Sequence, residues 1–399
     1  MQVVWSGELA GRAIDQWTRE IPVIAERGAI TDRNGELLAG NATKFSVFAR
    51  SNAVTDAEDA AQKLSAALNI PYETVLKKLT GKRASEVTVA KKTDKQAVEK
   101  LAELSLNGVY FSRDNDRTYP KSDFLSQVIG FTSSDNTGAA GIEKYYDSYL
   151  RGKDGEILYE TDLVGLRLNG AAAAYKPAEN GYNLRLTIDA GIQTAAETAL
   201  GRVAQQYSPK SAECIVLDPD TFEILAMACT PSYDLNNVPR DDIPLLNALS
   251  RNRIVCDIYE PGSTFKVITS AANLEEWKKG NKAAFSPTHV FSSSRTRTVD
   301  GTTVKCWSNH ANGKHSCQTL ADALNNSCNP CFTDMALALG KETFYDYLGA
   351  FGFGKTTGLD FGGEASGMLL PETAVRNCDL ARIGFGQTVA VSGLQLACA

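Results

Sequence analysis

Tyr259-Glu260-Pro261-Gly262-Ser263-Thr264-Phe265-Lys266 closes one segment and opens another. Pro261 and Gly262 end what precedes them. The run from Ser263 to Trp277 then carries Phe265, Ile268, Ala272 and Trp277 close to helical spacing, with Gly280 as a stop. Ser263 is therefore expected at or near a helix start. Lys266, three residues on, is expected to lay its amine beside the serine hydroxyl. That arrangement suits nucleophilic catalysis. A serine hydroxyl needs an adjacent base, a lysine with a lowered pKa serves as one, and the positive end of the helix dipole favours the alkoxide. An ordinary N-cap serine followed by a surface lysine has the same spacing, so the rest of the chain has to separate the two.

The 399 residues suffice for two domains with substantial cores. Charged residues make up 22% and hydrophobic residues 43%, an ordinary globular balance. The net charge of −6, with no concentrated basic block, argues against non-specific nucleic-acid binding. No uninterrupted apolar stretch is long enough to span a bilayer, and the N-terminus lacks the short apolar core of a signal peptide. The nine cysteines are an odd number and all lie from Cys214 onward, which does not read as a disulfide-stapled secreted domain. Cys306, His310, His315 and Cys317 fall within twelve residues. Their spacing, Cys-x3-His-x4-His-x-Cys, matches no familiar zinc pattern, so a polar hairpin is expected there, with no metal and no cofactor.

Residues 6–20 suggest an amphipathic helix and residues 21–27 an extended segment. Asn34-Gly35 marks a strand–turn–strand over 28–39, since both residues tolerate positive φ. Helices are expected over 55–70, 73–80 and 94–106, a strand at Val109–Phe111, a short helix at 124–130, another over 142–152, and strands flanking a turn over 156–168. At Gly181 the pattern changes: a strand over 183–189, a helix over Ala190–Tyr207, and a hairpin of 213–218 with 223–229. A domain boundary is placed near residues 170–182. Farther on, Gln318–Asn325 reads as a short helix and Cys331–Leu339 as another, with Pro330 suited to its first turn. Ser327-Cys328-Asn329 lies between them, where polar side chains can enter a cleft. A Ser-x-x-Lys helix start paired with a Ser-x-Asn inter-helix loop, about sixty residues apart, is far more specific than either alone.

With both motifs in hand, the chain resembles the class B penicillin-binding proteins, the peptidoglycan transpeptidases of bacterial division, elongation and sporulation. The resemblance covers nearly the whole chain. It runs through Arg27-Gly28 to Asn34-Gly35, Arg117-Thr-Tyr119-Pro120, Gly141-Ile142-Glu143, Leu150-Arg151-Gly152, Leu186-Thr-Ile-Asp189, the two serine motifs, Phe351–Gly354, and Gly384-Phe-Gly-Gln387. It implies an α+β chain: a juxtamembrane linker or helix over 1–26, a pedestal (dimerisation) domain over 27–178, and an incomplete transpeptidase domain over 179–399 with a central antiparallel sheet flanked by helices. It further implies that Ser263 attacks the penultimate D-alanine carbonyl of a stem peptide ending in D-Ala-D-Ala. Lys266 takes the serine proton, Ser327 relays a proton to and from the amines, and Asn329 binds the substrate amide or holds Lys266. The Ser263 N–H supplies half of an oxyanion hole, and β-lactams acylate the same serine. Implied too are glycosyltransferase and morphogenesis partners at the pedestal, and a place on the outer face of the cell membrane.

The family's third motif, Lys-Thr/Ser-Gly on an edge strand, has no match. Gly354-Lys355-Thr356-Thr357-Gly358 aligns instead with the turn after Phe351-Gly352. The expectation is a fragment lacking the membrane anchor and the last part of the catalytic domain, with Ser392 capping a final helix. A carboxypeptidase or serine β-lactamase shares the motifs but usually lacks a region like 27–152, and a non-catalytic penicillin-binding scaffold or sensor is the alternative outside enzymes. Cys328 and Cys331 have Cys-x-x-Cys spacing at a helix start. Two packed thiols are the favoured reading there, an oxidisable switch the other.

Overall fold

The computed structural model describes residues 18–81, 86–160, 174–310, 315 and 318–399. The chain divides into two compact units, Met1–Thr187 with Tyr233–Asp242, and Ile188–Ser232 with Ile243–Ala399. Each is described by itself.

The first unit is built on β3, Leu37–Ala49, which follows the Asn34-Gly35 turn after the two-residue β2, Ile30–Thr31. β3 is long enough to serve two neighbours. It pairs antiparallel with β5, Val109–Thr118, in register from Gly40 opposite Thr118 to Ala49 opposite Val109, and with β4, Val87–Thr93. Helices Ala57–Leu68, Tyr72–Thr80 and Lys95–Glu103 cover it, burying Ala60, Ala61, Leu64, Val75, Leu79, Val98 and Leu101 with Val47, Ala49 and Val89. Asp56 caps the first of these helices through the N–H groups of Glu58 and Asp59. The sequence placed only Val109–Phe111 in a strand; the polar residues to Thr118 join it because β3 supplies a continuous partner.

The helix expected over 6–20 lies mostly outside the described residues. Its last three residues correct it, because Thr18–Val23 forms β1, paired antiparallel with β6, Gly155–Glu160. The strand expected over 183–189 is only Leu184–Arg185, parallel to β2. The second strand expected after residue 160 falls outside the described residues.

Three sequence motifs of this unit meet at one buried carboxylate. Glu143 is fully buried, accepting from Arg27 Nε at 2.7 Å and from Arg117 Nε at 2.6 Å. Arg27 Nη1 also reaches Asp147 at 2.7 Å, and the Glu143 and Gly28 carbonyls accept from Arg27 Nη2 and Arg117 Nη1. Arg117 Nη2 finds no hydrogen-bond partner among the described residues. Two guanidiniums out of water are tolerable only while paired and hydrogen-bonded. Burial beside Glu143 also pushes the Tyr119 hydroxyl well above its usual range.

In the second unit, helix Ala190–Tyr207 packs Ala196 and Leu200 on Ala226 and Ala228 of an antiparallel hairpin of strands Ala212–Leu217 and Ile224–Thr230. Asp189 caps that helix through the N–H groups of Gly191 and Ile192. The centre of the unit is helix Asn329–Leu339. One side joins a core with Phe265, Ile268, Ala272, Phe344, Leu348 and Ile383; the other joins Phe291, Val304, Leu320 and Phe385. Helix Lys266–Lys278 lies against it. Trp277, read as part of the inner stripe, is exposed. Ser392 caps Gly393–Cys398 with a reciprocal Gln395 bond. Residues 354–358 form no strand.

Glu143→Gln keeps the shape of the buried cluster but leaves Arg27 with Asp147 as its charged partner and takes the paired carboxylate away from Arg117. It is expected to destabilise the first unit by about 3–5 kcal/mol, read as a lower urea midpoint with an unchanged m-value; a change under about 1 kcal/mol would place the cluster among weak surface pairs.

Candidate active site

Ser263 occupies a 3-10 turn, Gly262–Phe265, that runs directly into helix Lys266–Lys278. Ser263 is exposed, while Phe265 and Lys266 are fully buried. The turn is fixed from outside. Gly262 N–H donates to Gly386 O at 2.9 Å, Thr269 Oγ1 donates to Gly384 O at 2.7 Å, and Glu260 accepts from Thr388 N–H at 2.8 Å. Gly386 has φ +82, and a Cβ there would stand 2.0 Å from Gly262 O. The Gly384-Phe-Gly segment is thus a wall against which the serine turn is pressed.

The structure brings all four residues singled out from the sequence together. Lys266 Nζ lies 3.0 Å from Ser263 Oγ, 2.8 Å from Ser327 Oγ, 2.9 Å from Ser327 O and 2.8 Å from Asn329 Oδ1. Ser327 Oγ and Ser263 Oγ are 2.8 Å apart. Asn329 Nδ2 donates to Lys305 O at 3.1 Å, which fixes its oxygen toward the amine. The two carbonyl-type oxygens can only accept, so they hold two N–H bonds of the amine; both hydroxyls can donate. A neutral Lys266 therefore keeps a lone pair for a proton from serine.

Burial brings that neutral form within reach. It pulls Lys266 from the usual lysine value near 10.5 down to about 8, against a smaller opposing pull from the Cys306, Cys328 and Cys331 thiols. The Phe332 ring lies 5.4 Å from Nζ. Ser327 is held at φ +49, a left-handed conformation that a non-glycine residue adopts at a cost of about 1–3 kcal/mol. This conformation places Ser327 and Asn329 on the amine.

Cys328 and Cys331 are free cysteines, both fully buried. Their shared hydrogen bond pulls Cys328 down and pushes Cys331 up. Cys317 lies outside the described residues, but Cys306, His310 and His315 converge, with Cys328 as the fourth member. Their donor atoms all lie within 4.8 Å of one another. Sequence spacing missed this group because its fourth member sits on the loop between two helices. Sequence reading also missed Trp307, whose ring is 70% exposed beside the site and whose Nε1 donates to Asn326 O at 2.9 Å.

Residues 22–186 match the model of the penicillin-binding protein dimerisation domain, and residues 213–399 that of the penicillin binding protein transpeptidase domain. Stage V sporulation protein D of Bacillus subtilis (strain 168) is 36% identical over 397 residues, 99% of this chain and 60% of that protein. "Probable peptidoglycan D,D-transpeptidase PenA" of Neisseria meningitidis (strain DSM 15465 / Z2491) is 30% identical over 395 residues, 95% of this chain and 63% of that protein. The crystal structure of Penicillin Binding Protein 2X from Streptococcus thermophilus superposes with a TM-score of 0.73 at 26% identity, over 95% of this chain and 58% of that one. The chain thus spans about 60% of the length of the first of these curated relatives. Among the described residues no helix is long and apolar enough to cross a membrane.

Gly386→Ala tests the wall behind the serine turn. A Cβ 2.0 Å from Gly262 O forces the turn to move, with an expected loss of about 2 kcal/mol or more in urea unfolding of the second unit. The same substitution at Gly349, where a Cβ meets nothing within 4 Å, is the control and is expected to be nearly neutral.

Proposed function

Because this chain belongs to the class B penicillin-binding proteins, we propose that it carries the serine acyl-transfer site of a peptidoglycan D,D-transpeptidase. The observation that supports this most is the buried Lys266 amine, held by two acceptors, facing two hydroxyls and lowered by burial to a pKa of about 8. In this reading Ser263 Oγ attacks the penultimate D-alanine carbonyl of a stem peptide as its proton passes to Lys266 Nζ. The terminal D-alanine leaves as its amine takes a proton through Ser327 Oγ. An amine of a second stem peptide then attacks the ester, giving up its proton along the same path. Asn329 holds the lysine amine in line, and a penicillin acylates Ser263 by the first step alone. We assign residues 27–178 to the pedestal and 179–399 to the transpeptidase domain, acting outside the cytoplasmic membrane, with the pedestal meeting morphogenesis partners.

The test is labelling with a fluorescent penicillin followed by intact-mass analysis. One stable adduct per chain is expected, absent in Ser263→Ala. The labelling rate is expected to climb about tenfold per pH unit until Lys266 loses its proton near pH 8, then level off, since only the free amine accepts the serine proton. Lys266→Met is expected to slow labelling by about 10²–10⁴-fold and to remove that pH step. Label that survives Ser263→Ala sinks the nucleophile assignment. A folded chain that takes no label favours the non-catalytic scaffold.

A further inference from the structure

Cys328 sits inside the Ser327-Cys328-Asn329 turn, yet the acyl-transfer chemistry makes no use of its thiol. Its sulfur is 3.9 Å from Cys306 Sγ and 3.8 Å from His310 Nε2, and Cys306 Sγ is 3.7 Å from His315 Nδ1. A tetrahedral zinc ion, about 2.3 Å from sulfur and 2.0–2.1 Å from nitrogen, spaces its ligand atoms about 3.3–3.8 Å apart. These three pairs lie within a few tenths of an ångström of that spacing, and all four donor atoms lie within 4.8 Å of one another. Cys306, His315 and Cys328 are buried, at 3%, 5% and 0% exposure.

A second observation concerns the histidine outside this set. His310 Nδ1 lies 2.8 Å from the Ser293 carbonyl oxygen. A carbonyl only accepts, so Nδ1 carries the hydrogen and Nε2, facing the Cys328 sulfur, carries the lone pair. An outer hydrogen bond of this kind fixes the tautomer of metal-binding histidines. His310 and His315 are also both held at positive φ, +56 and +62, with ring centroids 4.3 Å apart. Side chains seldom adopt such backbone without a geometric demand on them.

We propose that Cys306 Sγ, His310 Nε2, His315 Nδ1 and Cys328 Sγ bind one zinc ion that ties the loop after Lys305 to the Ser327–Asn329 turn. Two sulfur and two nitrogen donors suit zinc. The two thiols release their protons to solvent on binding, and two thiolates with one Zn²⁺ leave the buried cluster neutral. Two hydrogen bonds join the same segments beside it: Asn329 Nδ2 to Lys305 O, and Trp307 Nε1 to Asn326 O. The ion is the middle point of a three-point clamp that keeps Ser327 in its left-handed conformation and Asn329 on Lys266. The clamp role rests on the acyl-transfer reading; binding of the ion does not.

The experiment measures zinc in the full chain, purified with reduced thiols and dialysed against metal-free buffer. About one zinc per chain is expected, falling about tenfold or more in Cys306→Ser and in His310→Ala at matched free zinc. Cobalt(II) exchanged into the unmodified chain is expected to give thiolate-to-cobalt charge transfer and tetrahedral d–d absorption, so the result does not depend on the variants folding. Chelation of the unmodified chain is expected to lower its unfolding midpoint by several degrees and to slow penicillin labelling, with zinc restoring both. A folded, reduced chain that binds neither zinc nor cobalt overturns the inference, as does full zinc retention in both variants. Bound zinc whose removal leaves labelling unchanged overturns the clamp. Zinc bound with no labelling at all counts against the acyl-transfer reading alone, and labelling on a chain that binds neither zinc nor cobalt against this one.

Discussion

The second unit depends on an amine placed where an ammonium is unwelcome. Lys266 is the residue after the turn that presents Ser263, and its side chain is fully enclosed. Among the described residues no carboxylate pairs with that amine; its four close neighbours are two hydroxyls and two carbonyl-type oxygens. Desolvation therefore wins over hydrogen bonding, and the neutral form becomes accessible near physiological pH. The enclosure comes from helix Asn329–Leu339, buried on two sides by different cores, and from the Gly384–Gly386 segment behind the serine turn. Weakening either wall admits water to the amine and restores an ordinary lysine.

The first unit solves the same problem in the opposite way. Arg27 and Arg117 cannot lose their protons, so burial has to be met by pairing, and Glu143 serves both through its two oxygens. The three residues come from before β2, the end of β5 and the short helix Gly141–Tyr145. One carboxylate fixes three segments that no continuous apolar stripe joins. A buried ion cluster of this kind adds little net stability over an apolar core, but its bidentate geometry admits only one arrangement of those segments.

Local signals carried most of what the sequence revealed. Ser263 and Lys266 are three residues apart on one turn, Asn34-Gly35 specifies its own backbone, and the stripe over Ala190–Tyr207 marks a helix that the structure reproduces at both ends. What escaped was set by partners distant in sequence. Thr18–Val23 is a strand because Gly155–Glu160 lies beside it, and β5 runs to Thr118 because β3 does. Trp277 fits the helical period but falls on the last turn, beyond the reach of the core. The cysteine–histidine group fails every linear spacing rule because Cys328 enters from another loop.

That loop explains why one tripeptide can serve two environments. Ser327 is left-handed and Cys328 extended, at φ −81 and ψ 102, before Asn329 begins its helix. Residues one apart across such a turn project to opposite sides, residues two apart to the same side. Ser327 and Asn329 accordingly meet the Lys266 amine, while Cys328 meets Cys306 and His310. The hydroxyl and amide cannot shift without moving the sulfur between them. Whatever fixes the sulfur therefore fixes the hydroxyl and amide on the Lys266 amine, and the strained Ser327 backbone is retained because its two flanks are bonded to Lys305 and Trp307. On the acyl-transfer reading proposed above, the reactivity of Ser263 is decided partly on the far side of the turn, among side chains that never touch a substrate.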